Sequence, residues 1–189
     1  MRLRIFLAAA LLALFVQPAK TEELQDFVDR LLEASQDAVA PGANHAQHCQ
    51  KILASSYDIT GMARSIAGDA WNKASPAERN AFRAAFEKST ITGCSRLLGI
   101  EQGVALAHIG NRDAQGGDKL VGIRVISPEK GERTWIWRVR GTDGKFHVVD
   151  VVVDGRSLVA GERADVARVI EQAGGELSAA TSYLQQRVR

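Results

Sequence analysis

The sequence predicts an α+β fold, with N-terminal and C-terminal helices packed on a curved antiparallel sheet of about four strands. Three observations carry this. Apolar residues recur at helical spacing from Leu24 to about Leu98. From residue 102 to residue 154 the period changes to two, and from residue 160 the helical period returns. A run of helices followed by a run of strands argues segregated layers, not alternating βα units.

The chain opens with "MRLRIFLAAALLALFVQPAKTEE", in which Arg2 and Arg4 precede an apolar run from Ile5 to Val16. A charged start followed by a short apolar run has the make-up of an export signal, and the run is too short to span a bilayer. Residues 1–19 are therefore expected to be a signal peptide cut after Ala19, although Gln17 suits the −3 position poorly, and residues 20–189 form one domain. No later segment reads as a membrane span. Removing Arg2 and Arg4 lowers the 24 basic residues to 22, level with the 22 acidic ones. A near-neutral chain has no overall field to attract a polyanion, which disfavours nucleic acid as a partner.

Thr21 is the expected N-cap of a first helix over 21–40, with Glu22 and Glu23 near its positive end and Leu24, Phe27, Val28, Leu31, Leu32 and Val39 apolar. Pro41–Gly42 stops it. A second helix begins near Asn44 and carries Cys49, Ile52 and Leu53 on one side. Asp58 caps a third, with Ile59, Met62, Ala63 and Ile66 apolar and Gly68 near its end. "SPAE", residues 75–78, is the strongest local signal: Ser75 caps, Pro76 sits at N1 and Glu78 completes a capping box. That helix runs to about Leu98, burying Phe82, Ala85, Phe86, Cys94 and Leu97. Candidate strands follow at 102–109, 118–127, 132–140 and 145–154, separated by "GNRDAQGG", "SPEKG" and "GTDG". Helices at 160–173 and from about Glu176, split by Gly174–Gly175, close the chain.

The "GTDG" hairpin fixes relative faces of the last two strands. Trp135, Trp137, Val139, Phe146, Val148, Asp150 and Val152 are expected on one side, and Ile136, Arg138, Arg140, His147, Val149 and Val151 on the other. The aromatic side should meet the helices. Asp150 then points inward, close to Trp135 or Trp137, and needs hydrogen-bond partners, which an indole N–H, the backbone amides of the turn at 155–158 or Arg156 could supply. A carboxylate anchoring the strand exit is the simpler reading. The alternative is an isomerase- or dehydratase-like enzyme on a cone-shaped scaffold with Asp150 as base.

Other chemistry is thinly signalled. No Gly-x-Ser-x-Gly elbow, Cys–His signature or phosphate-cradling glycine loop is present. "HAQHC" places His45, His48 and Cys49 on one helix face, but a fourth metal ligand is missing nearby unless Cys94 or His108 supplies it through folding, and solvated histidines beside a cysteine are the plainer reading. Neither metal nor cofactor is expected. Cys49 and Cys94 both fall on inward helix faces in an exported chain. A bridge between them would close a loop of about 45 residues and stabilise by about 4 kcal/mol; two separate buried thiols are the alternative.

Three segments resemble a known family. "YDITGMARSIAGDAW", "ASPAERNAFRAAF" and "GKFHVVDVVVDGRSLV" are similar in order and spacing to motifs of the MlaC/toluene-tolerance family of periplasmic lipid carriers, with the hopanoid-associated branch about as close as the phospholipid-transport branch. The likeness spans roughly residues 24–188. Two positions depart from the family pattern: Glu162 stands where an aromatic is usual, ahead of a matching Arg163, and Phe146 replaces a typical Trp. The resemblance implies a non-enzymatic, monomeric carrier in the periplasm. It would bind phospholipid or a hopanoid-related lipid and work with a membrane-bound ABC transporter and outer-membrane complexes. It implies a hydrophobic pocket between helices and sheet. The candidate lining is Met62, Ile66, Trp71, Phe82, Phe86, Leu97, Trp135, Trp137, Val139, Val148, Val152 and Leu158, the same residues that an ordinary core would use.

Overall fold

The computed structural model describes residues 22–101 and 103–188, so the expected signal segment and Thr21 lie outside the described residues. Five helices, a five-stranded antiparallel sheet and two further helices follow one another along the chain. The α+β class is as the sequence predicts, with five strands in place of about four.

α1 (Leu24–Ala38) buries Phe27, Val28 and Leu31. It starts later than the sequence suggests. Glu23 holds the N-cap position without a side-chain cap, and Glu22 is engaged elsewhere: its carboxylate accepts from the Phe146 amide at 2.9 Å, tying the chain to a hairpin. Asn44 caps α2 (His45–Ser56), and the Asp58 carboxylate caps α3 (Ile59–Ala67) by accepting from the Gly61 amide at 2.8 Å. Between α2 and α3 the Asp58 amide donates to the Val148 carbonyl at 3.0 Å, so the helix junction is pinned to the sheet. A short α4 (Asp69–Lys73), unannounced by the sequence, buries Trp71. α5 (Pro76–Ile100) begins with the Ser75/Glu78 capping box in place. Among the described residues, no helix is long and apolar enough to cross a membrane.

The strands β1 (Ala105–Asp113), β2 (Lys119–Ser127), β3 (Gly131–Thr142), β4 (Lys145–Val153) and β5 (Arg156–Ser157) lie side by side in chain order. β1 is shifted along the chain from its expected place, because Gly110–Asp113 continue the ladder beyond a bulge after His108. Val121, Ile123 and Val125 of β2 are fully buried beneath the helices. The edge of β1 is capped by a side chain of α1. Gln36 accepts from the Leu106 amide at 2.7 Å and donates to the Val104 carbonyl at 2.9 Å, taking the place of a missing strand.

β3 and β4 correct the expected faces. Pairing runs Val139 to Val148 but Arg138 to Asp150, so Val149 is an extra residue in β4. Such a bulge reverses every later side chain. Phe146 and Val148 share the helix side with Trp135, Trp137 and Val139, as the alternation predicts. Beyond the bulge Val151 and Val153 take that side, and Asp150 and Val152 move to the other. The Asp154–Gly155 turn, both residues at positive φ, then folds β5 back onto β4. α6 (Leu158–Gln172) starts at once, capped by Ser157, and α7 (Leu177–Gln186) packs against α5 and α6.

Two buried carboxylates clamp the sheet. Asp118 has no solvent exposure and accepts from Arg138 Nε at 2.6 Å and Arg140 Nε at 2.8 Å. The Arg140 guanidinium, with help from Arg138, holds its carboxyl below the usual range against the opposing effect of burial. Glu101, after α5, accepts from Arg133 and from Lys130 Nζ at 2.9 Å, and Arg133 lowers its carboxyl in the same way.

Candidate functional site

Between the helices and the sheet lies a cavity of about 370 Å³. That falls within the roughly 300–1,000 Å³ typical of ligand sites. Its floor is Trp135 and Trp137 of β3, Val151 and Val153 of β4 and Leu106 of β1. Ile52 and Leu53 of α2, Tyr57, and Met62 and Ile66 of α3 form one wall. α5 forms the adjoining wall with Phe86, Ser89, Thr90, Gly93, Cys94 and Leu97. These α5 positions follow the 3, 1, 3, 1, 3 spacing of a single helical stripe, so all point the same way. Leu158, Val159 and Glu162 of α6 and Arg187 close the lining. Gly93, Leu158 and Arg187 are exposed, marking where the cavity meets solvent.

The wall is firmly mounted. Cys49 of α2 and Cys94 of α5 form a disulfide with Cα atoms 6.0 Å apart, so two wall helices are covalently joined at the cavity. Cys49 is thereby unavailable as a metal ligand, and among the described residues no group of His, Cys, Asp and Glu could hold a metal ion. α6 is mounted by Asp150, whose carboxylate accepts from the Ser157 hydroxyl at 2.6 Å and the Val159 amide at 3.1 Å. Asp150 thus anchors the strand exit and does not line the cavity; its expected inward position is reversed by the Val149 bulge.

The interior is apolar. The Thr90 hydroxyl is satisfied by the Phe86 carbonyl at 2.8 Å. Burial pushes the Tyr57 phenol above its usual range, so it stays protonated and neutral. Among the described residues the charged lining groups are Glu162 and Arg187, and they pair with each other at 2.5 Å.

Of the expected lining residues, Met62, Ile66, Phe86, Leu97, Trp135, Trp137 and Leu158 border the cavity. Trp71, Phe82, Val139 and Val148 do not. Trp71 and Phe82 pack edge to face at 6.5 Å, and Phe82, Val139 and Val148 have no exposure at all, so these four belong to solid core. Val152 is absent because the bulge turns it away, and Val151 and Val153 take its place. Sequence reasoning missed Gly93, although a glycine inside a long helix is itself a signal that something needs the room. It also missed Ile52, Leu53 and Tyr57, whose spacing reads as ordinary core.

The fold is shared with a phospholipid-binding protein from Ralstonia solanacearum solved in complex with a phospholipid, at a TM-score of 0.70 and 19% identity over 87% of this chain and 94% of that one. No curated protein matches the sequence. The family model for "MlaC protein" matches residues 22–186, which take in the helices, the sheet and the whole cavity lining except Arg187, and the chain belongs to that family.

Proposed function

We propose that the protein is an exported lipid carrier that holds acyl chains in the cavity between helices and sheet. The carrying observation is the cavity itself: 370 Å³ of apolar space left open by Trp135, Trp137, Phe86 and Met62, with its charged groups confined to Glu162 and Arg187. Each methylene moved into such a space contributes about 0.8 kcal/mol, so ten of them supply about 8 kcal/mol with no polar contact needed. Met62 suits the task because its flexible thioether adapts to differing tails. Membership of the MlaC family and the phospholipid held by the Ralstonia neighbour support phospholipid as cargo; a hopanoid-related lipid is the second candidate. The carrier acts as a monomer in the periplasm, and the membrane-bound ABC transporter and outer-membrane complexes are its delivery partners.

Catalysis is no part of this reading. The isomerase-like alternative requires Asp150 as a base facing the cavity, and Asp150 is bound to Ser157 and Val159 at the root of α6. Native mass spectrometry of gently purified protein tests the proposal. A co-purified lipid mass is expected, and its fragmentation distinguishes phospholipid from hopanoid. A clean apo mass under conditions that preserve lipid complexes would sink the idea.

A further inference from the structure

The cavity lining ends in one acidic and one basic side chain, and they come from different helices. Glu162 lies in the second turn of α6; Arg187 follows the last residue of α7. Nη1 of Arg187 donates to Oε1 of Glu162 at 2.5 Å, and the guanidinium carbon stands 5.4 Å from the Tyr183 ring centroid, which holds the planar group in place. Glu162 is the less exposed partner, at 18% against 42% for Arg187. The guanidinium has five N–H donors, and among the described residues only one of them hydrogen-bonds to protein, leaving the others for an incoming group.

We propose that Glu162 and Arg187 form a headgroup subsite that selects zwitterionic phospholipids, with the phosphate on Arg187 and the ammonium on Glu162. The proposal rests on the carrier reading and goes further by naming the cargo class. With acyl chains inside the apolar cavity, the glycerol and headgroup stay where the lining becomes polar and solvent enters. A zwitterionic headgroup can lie antiparallel along the Glu–Arg pair, giving each charge an opposite neighbour without separating the pair. An anionic headgroup gains from Arg187 but meets Glu162 at a similar distance, so the two effects largely cancel. A headgroup without charge gains from neither.

The test uses the purified mature chain incubated with vesicles of equimolar phosphatidylethanolamine and phosphatidylglycerol carrying identical oleoyl chains. The protein is then re-isolated and its bound lipid is quantified by mass spectrometry. One extra partly exposed ion pair corresponds to roughly a threefold excess of phosphatidylethanolamine over the vesicle ratio. Raising the salt to several hundred millimolar should bring the ratio toward one, which needs no variant at all. Glu162→Gln should erase the excess and Glu162→Lys should turn it toward phosphatidylglycerol, with circular dichroism melts confirming that each variant is folded. Uptake of both lipids in the vesicle ratio by the unaltered chain, or an unchanged excess in folded Glu162→Gln, overturns the subsite while leaving the carrier intact. Failure to take up either lipid overturns the carrier reading and the subsite with it.

Discussion

Gly93 offers the sharpest probe of the cavity. It sits at the centre of the α5 stripe Phe86, Ser89, Thr90, Gly93, Cys94 and Leu97, and a Cβ added there meets nothing within 4 Å. An alanine there therefore meets no collision with the protein and gains helix propensity, since glycine in a helix interior is about 1 kcal/mol worse than alanine. Gly93→Ala should stabilise the fold by roughly 0.5–1 kcal/mol, raising Tm by about 1–4 °C for a chain of this size. Gly93→Phe gains less, about 0.5 kcal/mol, but its ring projects into the space an acyl chain would use. If it displaces about four methylenes, the loss in lipid binding is about 3 kcal/mol, or roughly a hundredfold.

The pair of variants separates stability from binding, because a substitution that damages folding weakens both. The expected result is opposite signs: equal or higher Tm by circular dichroism, and a steep loss of lipid by native mass spectrometry and fluorescent phospholipid uptake. A folded Gly93→Phe protein that retains full lipid affinity would refute the placement of the guest against α5. A lowered Tm for Gly93→Ala would refute the open space at this position.

Three other outcomes follow from the same contacts. Reducing the Cys49–Cys94 disulfide, or replacing both residues by serine, should cost about 4 kcal/mol for a loop closed over a separation of 45 residues, measured as a drop in the urea midpoint with and without reductant. Asp118 and Glu101 are carboxylates held below their ordinary pKa values by Arg140 and Arg133, so they contribute stability at neutral pH. That contribution should begin to fall as pH drops past the unfolded values near 4 and vanish below the folded ones, with a shallower acid dependence in Asp118→Asn and a neutral-pH loss of about 2 kcal/mol. Asp150→Ala removes the acceptor for Ser157 and the Val159 amide; it should destabilise by about 2 kcal/mol and speed lipid exchange by loosening α6, with pulse hydrogen exchange at residues 157–162 as the readout.

The sequence made some parts of this molecule plain and left others hidden, for reasons that can be named. The Ser75-Pro76-x-Glu78 start of α5 was legible because capping chemistry is local and needs no knowledge of the rest of the fold. So was the helix-facing side of Trp135, Trp137 and Val139, because alternation holds within an unbroken ladder. Val152 was misplaced because the extra residue at Val149 leaves no mark in a run of valines. The tether from the Asp58 amide to the Val148 carbonyl, next to that residue, joins positions ninety residues apart in the chain. β5 was legible in principle: Asp154–Gly155 is the strongest short hairpin signal, although only two residues follow it before α6. The division between lining and core was not legible at all. Phe82 and Phe86 lie one turn apart on the same side of α5, yet one is sealed in core and the other borders open space, and only the three-dimensional fit decides which.

The bulge at Val149 also connects the two halves of the functional reading. Without the extra residue, Asp150 and Val152 would face the helices, placing a carboxylate among Trp135 and Trp137 at the cavity floor, where a charge without partners is costly. With it, two valines line the floor and the carboxylate is carried to the sheet edge, where the Ser157 hydroxyl and the Val159 amide meet it. That contact fixes the first turn of α6, and one turn further along the same helix is Glu162. A single inserted residue in β4 therefore keeps the interior apolar and sets the position of the acidic side chain that pairs with Arg187. Moving the bulge by one residue should therefore disturb the apolar lining and the position of Glu162 together, read as a fall in total bound lipid and a change in the ratio of phosphatidylethanolamine to phosphatidylglycerol.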